Sequence, residues 1–408
     1  MTVSLRNSGR LAGFSRDAWL EIDLNAIEHN YKQIREVLSP NTAFMAVVKS
    51  DAYGHGASTI APLLQACGVD CFGVASVDEG IQLREAGVNK EILVLSPIPA
   101  WSLERAIKHN LQITISSQSE LDELEKLSEK ISHNKSKGHI ENTLKENVAP
   151  QKLPSIQIKI NTGMNRNGSK WNAAAEGLVE RVLKNQEEKQ YKLAGIYSHL
   201  ACNGNNFFTQ VQADRFHNVI SKFVSANHME KLGLKHIASS YSFQREDLQL
   251  DMVRIGLALY GLGGNLGTKK ELDLKPAMSL VARISQIQQI EADEGVGYGL
   301  TWKAAEASTI GLLPCGYADG IKRGLSNRIK AIYKNQLISQ VGTISMDQIS
   351  FDFTAYAKEI QVGDLVKLIG NSENQKIAIN DWSQILGTVE YEIACDLRAR
   401  LPRIYVRN

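Results

Sequence analysis

The sequence predicts an N-terminal (β/α)8 barrel followed by a C-terminal domain made mostly of β-strands. Eight short apolar or alternating runs recur between residues 44 and 261, and most are separated by stretches with helical periodicity. This alternation is typical of parallel sheets, and eight such units predict a (β/α)8 barrel. After about residue 272 the pattern changes to closely spaced strand-like runs with turn signals, which indicates a second, mostly β domain.

The predicted elements follow this order along the chain. The strand candidates are 44–49, 71–76, 91–96, 111–116, 156–161, 193–199, 235–240 and 252–261. Helical periodicity is clear at 58–68, 77–87, 121–131 and 173–185. The polar stretch 132–154 lacks periodicity, which indicates an exposed insertion between the fourth and fifth strands. We therefore divide the chain into an extension (1–16), a barrel (17–272) and a C-terminal β domain (273–408).

Composition excludes several classes of protein. The 408 residues exceed the usual size of one domain, and a net charge of +2 with interspersed acids and bases leaves no footprint for nucleic acid. The five cysteines are odd in number and mostly far apart, which fits neither a disulfide framework nor a zinc site. No apolar run has the length of a signal peptide or a membrane span. We expect a cytoplasmic protein with no metal site and no membrane partner.

The segment AVVKSDAYGHG marks the first candidate site. It places Lys49 at the carboxyl end of the first strand, followed by two glycines that let the backbone approach a ligand closely. Active sites of this barrel gather at that end of the strands. By position alone, however, a lysine at a strand end is more often a solvated surface residue.

Other reactive side chains follow the later strands. Lys159 and Arg166 flank the fifth strand, His199 ends the sixth, Ser239 and Ser240 end the seventh, and Arg254 lies in the eighth. Each has a simpler interpretation as a solvated, hydrogen-bonded or helix-capping residue. Their coincidence on one rim nevertheless favours a functional site.

Nine segments together resemble alanine racemases, in the same order and at plausible spacing. They are VVKSDAYGHG, KINTGMNRNG, YSHLA, HIASS, MVRIGLALYGL, GVGYGLTW, CGYADG, VGTISMDQ and RLPR. The resemblance spans about residues 17–404. It implies a barrel plus a C-terminal β domain, dependence on pyridoxal 5'-phosphate, interconversion of L- and D-alanine that supplies peptidoglycan, and a head-to-tail homodimer with shared active sites.

The resemblance also implies two catalytic bases. Lys49 matches the lysine that forms a Schiff base with the cofactor, and Tyr298 matches a tyrosine that reaches the opposite face of the substrate from the partner subunit. In the family scheme Tyr298 removes the Cα proton of the L-enantiomer while Lys49 donates one, and the roles reverse for the D-enantiomer.

The remaining site residues are implied in the same way. Phosphate contacts fall on Tyr53, Ser240 and the backbone amides of Gly256 and Leu257. His199 lies near the cofactor ring, Arg166 contacts the cofactor and substrate, and Lys159 matches a lysine that is often carboxylated. The residues on the substrate side are Tyr317, Met346 and Asp347. Arg254 matches the arginine that faces the pyridine nitrogen. Because a guanidinium stays charged and has only donors, it leaves that nitrogen unprotonated and favours racemisation over loss of the amino group.

The sequence departs from the family pattern at a few positions. Asn161 and Asn165 stand for an aspartate and a glycine, and both bear on whether Lys159 is carboxylated. Ser239 replaces the usual asparagine. Ala399 is aligned with a phosphate-binding tyrosine of some members, and with Trp302 it bears on pocket size and therefore on the preference for alanine.

Several alternatives stay open at this point. The nearest is a racemase of serine or larger amino acids on the same scaffold, and a decarboxylase of the same fold lies further away. A pyridoxal-phosphate-binding regulatory protein would need neither a second base nor a second domain, so the GVGYGLTW segment argues against it. Dinucleotide binding at 261–267 fails because the stretch lacks G-x-G-x-x-G spacing and no helix follows it.

Overall fold

Eight parallel strands form a barrel in the first part of the chain, which confirms the predicted fold class. The structure is a computed structural model that describes residues 16–136, 154–188, 191–202, 206–224, 230–263 and 271–407. Strand β1 (Ala18–Asp23) precedes the barrel and belongs to the second sheet. The barrel strands are β2 (Ala43–Val47), β3 (Cys71–Val74), β4 (Glu91–Val94), β5 (Gln112–Ile115), β6 (Ser155–Asn161), β8 (Lys192–Tyr197), β9 (Leu234–His236) and β10 (Met252–Ile255), with a short extra strand β7 (Ser169–Lys170) beside β6.

The ring of strands is nearly closed. Strand β10 pairs with β2, and pairing then runs in chain order to β9. The gap between β9 and β10 is bridged just past β9, where the Arg254 amide donates to the Ala238 carbonyl at 3.1 Å. The carboxyl ends of all eight strands therefore face one rim.

Helices alternate with the strands around the barrel. They are α1 (Leu24–Glu36), α2 (Lys49–Tyr53), α3 (Ala57–Cys67), α4 (Val77–Glu85), α5 (Ala100–Lys108), α6 (Gln118–Ser136), α7 (Ala173–Glu187), α8 (Asn206–Val224) and α9 (Glu246–Gln249). Helix α6 enters the predicted insertion 132–154, whose remaining part up to residue 153 lies outside the described residues. No helix in the described part of the chain combines the length and apolarity needed to cross a bilayer.

Side chains fill the barrel interior, as expected for a ring of this size. Met45, Cys71, Leu93, Tyr197 and Met252 form a separate buried cluster. They come from five of the eight strands. Their strand neighbours, such as Phe44 and Ala46, belong to the larger core, because successive residues of a strand face opposite sides. The barrel is therefore a packed core with a site only at its rim.

The second domain is built on a mostly antiparallel sheet. Its strands are β11 (Met278–Arg283), β12 (Gln286–Ile290), β15 (Ser308–Leu313), β16 (Lys330–Tyr333), β17 (Gln336–Val341), β18 (Ile349–Asp352), β19 (Leu365–Asn371), β20 (Lys376–Ile377) and β21 (Arg403–Val406), and strands β13 (Gly295–Val296) and β14 (Trp302–Lys303) form a separate hairpin. Helices α10 (Ile379–Leu386) and α11 (Glu390–Asp396) precede β21. The change to closely spaced strand-like runs after about residue 272 correctly indicated this mostly β domain.

Strand β1 departs from the predicted division. Residues 17–272 are predicted to be barrel, yet β1 pairs antiparallel with β11 and parallel with β21. Its alternating pattern buries Leu20 and Ile22 against the second sheet. A single strand with a period of two does not indicate which sheet it joins, because that depends on partners far along the chain.

Candidate active site

A cavity of about 730 Å3 opens at the carboxyl ends of the barrel strands. Ten of the residues singled out from the sequence line it: Lys49, Tyr53, Lys159, Arg166, His199, Ser239, Ser240, Arg254, Gly256 and Leu257. They come from five strand ends and the loops that follow. The structure therefore brings together the barrel side of the site expected from the sequence.

The lysine segment has an unusual backbone. Helix α2 is left-handed: Ser50, Asp51, Ala52 and Tyr53 all have φ between 52° and 55°. Such values cost L-residues about 1–2 kcal/mol each, so tertiary contacts must hold them. The Asp51 carboxylate accepts from the Ala57 amide at 2.7 Å. Within the turn, Lys49 and Tyr53 both face the cavity.

His55 forms hydrogen bonds to the backbone of the same turn. It is fully buried, and burial lowers its pKa to about 4, so the ring is neutral. Its Nδ1 donates to the carbonyls of Ala52 and Tyr53 at 2.9 and 3.0 Å, and the ring stacks on Tyr260. Since the carbonyls can only accept, the Nδ1 atom carries the proton.

One end of the cavity carries hydroxyl and backbone donors. The Ser240 hydroxyl accepts from the Gly256 amide at 3.2 Å and lies beside the start of a short 3-10 helix, Leu257–Tyr260. The Tyr53 hydroxyl lies over Gly256 so closely that a Cβ there would come within 2.6 Å of it. Neutral hydroxyl and amide donors at the start of a helical turn suit a phosphate group.

Arg254 anchors the opposite side of the cavity. It is only 4% exposed, and its guanidinium donates to the Ser198 carbonyl at 2.7 Å and to Nδ1 of His199 at 3.1 Å and of His236 at 2.8 Å. Both histidines must accept at Nδ1, because a guanidinium offers only donors. His236 therefore carries its proton on Nε2, which donates to the Gln157 side chain at 2.7 Å.

The charge balance of the cavity is strongly positive. Burial, together with Arg254 and Arg166, lowers the pKa of His199 well below its usual range, which leaves its ring neutral. Burial and the neighbouring Arg166 also lower the pKa of Lys49. For Lys159, burial together with Arg166, Arg254 and Lys49 lowers the pKa to about 7. A cavity with these charges attracts an anionic ligand.

Asn161 and Asn165, two departures from the family pattern, interact with each other. The side-chain oxygen Oδ1 of Asn161 accepts from the backbone amides of Gly163 and Asn165 at 3.1 and 3.0 Å, and its side-chain Nδ2 donates to Oδ1 of Asn165 at 3.1 Å. Asn165 has a φ of 57°, a conformation that asparagine tolerates better than most residues. The pair therefore shapes the turn that presents Arg166 to the cavity.

The four remaining predicted residues lie in the second domain and do not line this cavity. Tyr298 is 74% exposed at the tip of the β13–β14 hairpin, where Thr343 donates to its carbonyl at 2.8 Å. The Tyr317 amide donates to the Ser345 carbonyl at 3.0 Å, which brings Tyr317 beside Met346. Asp347 forms an ion pair with Arg400 at 2.6 Å.

Sequence reasoning missed other cavity residues. Tyr391 and Cys395 reach the cavity from helix α11, whereas neither Ala399 nor Trp302 lines it. The effect of Ala399 and Trp302 on pocket size stays a prediction. A tyrosine on a short helix near residue 390 carries no local signal, since only the fold brings that helix to the barrel rim. The glycine-rich stretch 261–267 lies largely outside the described residues.

Comparison with known proteins identifies the family. Profiles of the N-terminal and C-terminal domains of alanine racemases match residues 22–263 and 277–405. The chain is 37% identical over 405 residues to an alanine racemase of a Nostoc species, covering 97% of each protein, and 34% identical to alanine racemase 2 of Oceanobacillus iheyensis, covering 98% of this chain and 95% of that one. The structure superimposes on alanine racemase from Clostridium difficile with a TM-score of 0.85 at 30% identity, covering 97% of each chain.

Proposed function

Because this chain belongs to the alanine racemase family and is therefore an isomerase, we propose that it interconverts L- and D-alanine with pyridoxal 5'-phosphate bound in the barrel cavity. One observation carries the proposal. A single cavity joins a half-buried lysine, a set of neutral phosphate donors and an arginine held against two neutral histidines.

The donor set fits the cofactor at both of its ends. Tyr53, Ser240 and the amides of Gly256 and Leu257 would hold the phosphate, and the glycine leaves room for it beside the Tyr53 hydroxyl. Arg254 would face the ring nitrogen with a donor, while Arg166 would contact the phenolic oxygen. Tyr391 adds a further hydroxyl group to the cavity lining.

The chemistry divides between cofactor and protein. Pyridoxal phosphate, when bound, acidifies the Cα proton of an attached amino acid by delocalising charge into its ring. Lys49 would hold the cofactor and exchange a proton with one face of the substrate. The lowered pKa of Lys49 suits this role, because an amine must lose its proton to act as a base.

The second base would come from another subunit. Tyr298 is highly exposed and lies outside the cavity of its own chain, together with Tyr317, Met346 and Asp347. A head-to-tail homodimer would place the partner subunit's Tyr298 opposite Lys49 and the other three on the substrate side. The His199 ring, which accepts from Arg254, would then lie on the side of the cavity that this tyrosine enters.

The substrate and the setting complete the proposal. We place the enzyme in the cytoplasm, where it would supply D-alanine for peptidoglycan.

Carboxylation of Lys159 would give the cluster of cations a negative partner, and the pKa of about 7 leaves much of this amine neutral and able to react with carbon dioxide. Racemisation of serine or larger amino acids is the alternative substrate choice.

Incubation with L-alanine in heavy water tests the function. We expect D-alanine that carries deuterium at Cα, formed by protein that shows the visible absorbance of bound pyridoxal phosphate. Lys49→Ala should lose both the absorbance and the exchange. A panel of amino acids with chiral analysis separates the substrate choices, carbon dioxide release would identify a decarboxylase, and absorbance without any exchange would indicate a binding protein.

A further inference from the structure

Glu79 connects helix α4 to the lysine turn. One carboxylate oxygen accepts from the Ser50 amide at 2.8 Å, directly after Lys49. The other accepts from the amides of Ala75 at 2.6 Å and Ser76 at 3.3 Å. Three backbone donors on one carboxylate hold it in a fixed position between helix α4 and the lysine turn. The capping box of α4 explains only the bond to Ser76, since the bond to Ser50 crosses to another barrel unit.

The surroundings of Lys49 give this carboxylate a second effect. The ionisable groups around the lysine come from every neighbouring element: Tyr53 of α2, Glu79 of α4, Lys159 of β6, Arg166, His199, Arg254 of β10, and Tyr391 and Cys395 of α11. Three of them are cationic groups. The attraction of the Glu79 carboxylate raises the pKa of Lys49 and so opposes burial and the effect of Arg166, which lower it.

We propose that Glu79 is a positioning residue for Lys49, because its carboxylate holds the backbone amide directly after the lysine and places a negative charge beside the lysine turn. The catalytic consequence depends on the proposed function, in which Lys49 alternates between base and ammonium donor. The effect on the lysine itself does not depend on it. Without Glu79 the amine would lose its proton at a lower pH, so a smaller fraction of Lys49 would be in the ammonium form that can donate.

Asp381 provides a matched control. It caps helix α10 of the second domain in the same way, with its carboxylate accepting from the Ala378 amide at 2.7 Å. It does not line the cavity. Asp381→Asn therefore removes a capping charge of the same kind without altering the surroundings of Lys49.

The titration of Lys49 in the cofactor-free, full-length protein tests the proposal. Competitive acetylation across a pH series, quantified by peptide mass spectrometry, reports the pKa of Lys49 against exposed Lys90 as an internal reference. We expect Glu79→Gln to move the Lys49 titration down by about one pH unit, because an opposite charge is lost. Asp381→Asn should leave the titration where it is in the wild type.

A second variant separates charge from shape. Glu79→Asp keeps the charge but withdraws it from Ser50, so its Lys49 titration should lie between those of the wild type and Glu79→Gln. If the glutamine variant does not fold, the shift measured in Glu79→Asp tests the proposal instead. An unshifted lysine in a folded variant, or equal shifts for aspartate and glutamine, would overturn the proposal. Failure of the proposed racemase activity would leave this result unaffected, because no cofactor or substrate is present.

Discussion

Lys159 is a buried amine whose charged neighbours carry the same sign as its own protonated form. The amine lies 5.4 Å from the centre of the Tyr197 ring, and Arg166, Arg254 and Lys49 all disfavour its charge. The pKa of about 7 lies far below the ordinary 10.5 of the unfolded chain. Charging Lys159 therefore costs folding free energy at neutral pH.

Lys159→Met should stabilise the cofactor-free protein most at low pH. Below about pH 7 the lysine is charged in both the folded and unfolded states, so the wild type bears the full cost of burying the charge. Between about pH 7 and pH 10.5 the folded state releases its proton first, so this cost fades as the pH rises. Urea unfolding in buffer free of carbon dioxide should show the gain shrinking over that range.

Lys170→Met is the control for this measurement, because Lys170 is exposed on the neighbouring strand β7. Its substitution should change stability little at any pH. A gain for Lys159→Met that stays constant from neutral to alkaline pH would contradict the lowered pKa. Bicarbonate should reduce the gain at neutral pH, since a carboxylated Lys159 would be stabilised by Arg166.

Gly256→Ala should weaken binding of pyridoxal phosphate about tenfold or more. The backbone of Gly256 has a φ of −122°, which any residue adopts, so the effect is steric and not conformational. The added Cβ would come within 2.6 Å of the Tyr53 hydroxyl and displace it. Titration of the apoprotein with cofactor, followed by absorbance, gives the dissociation constant.

Gly177→Ala is the matched control. A Cβ at Gly177 in helix α7 would contact nothing within 4 Å. The substitution should leave cofactor affinity unchanged and stabilise the helix by about 0.5–1 kcal/mol. Equal affinities for the two alanine variants would remove Gly256 from the proposed phosphate site.

Residues at strand ends were predictable, and those from distant helices were not. Lys49 and His199 each end an apolar run and Arg254 lies within one, so the barrel topology predicts that they lie near one rim. Tyr391 and Cys395 reach the same cavity from the second domain. The sequence pattern around Glu79 indicates only a helix-capping residue. Their roles depend on contacts between segments far apart in the chain, which local patterns do not encode.

At the scale of elements, the conformation of the left-handed helix α2 was likewise not predictable from the local sequence. The two glycines of the AYGHG segment indicate a close approach to a ligand, but Ser50, Asp51, Ala52 and Tyr53 have no intrinsic preference for positive φ. Bonds to Ala57 and Glu79, together with buried His55, impose this conformation from outside the turn. The strain is thus held where two cavity residues must face the same way.

The β13–β14 hairpin presents Tyr298 through a small hydrogen-bond network. Gly297 and Gly299, with φ of 74° and 76°, turn the backbone on either side of the tyrosine. Thr343 donates to the Tyr298 carbonyl at 2.8 Å and lies 3.2 Å from the Thr301 hydroxyl. These hydrogen bonds therefore hold in place the backbone that carries the exposed Tyr298 side chain.

Thr343→Val should lower kcat about fivefold with little change in KM. The variant keeps the shape but loses the hydroxyl, and one lost hydrogen bond of about 1 kcal/mol changes a rate by that factor when it positions a proton-transferring group. Thr343→Ser retains the hydroxyl and should retain most of the activity. If serine impairs turnover as much as valine, the hydroxyl does not position Tyr298.

At the scale of the whole molecule, the proposed shared site predicts complementation between two inactive variants. Lys49→Ala lacks one base and Tyr298→Phe the other. A mixed dimer would contain one complete site, with Lys49 of one chain and Tyr298 of the other. Random exchange between equal amounts should restore about a quarter of the wild-type activity, because half of the dimers are mixed and each has one working site.

The measurement is turnover after the two purified variants are dissociated, mixed and reassociated. Each variant treated alone in the same way is the control and should stay inactive. Activity that does not return on mixing, in samples shown by mass to contain mixed dimers, would mean that both bases of a site belong to one chain.

The pairing of β1 with β21 has a consequence for how the chain is made. Leu20 pairs with Arg403, so strand β1 must wait during synthesis for a segment far along the chain before its sheet is complete. The barrel strands pair with sequence neighbours and need no such delay, except where β2 meets β10. During synthesis the barrel can thus form while the apolar face of β1, with Leu20 and Ile22, still lacks its cover. Until β11 and β21 are made, this apolar face is open to unwanted contacts with other chains.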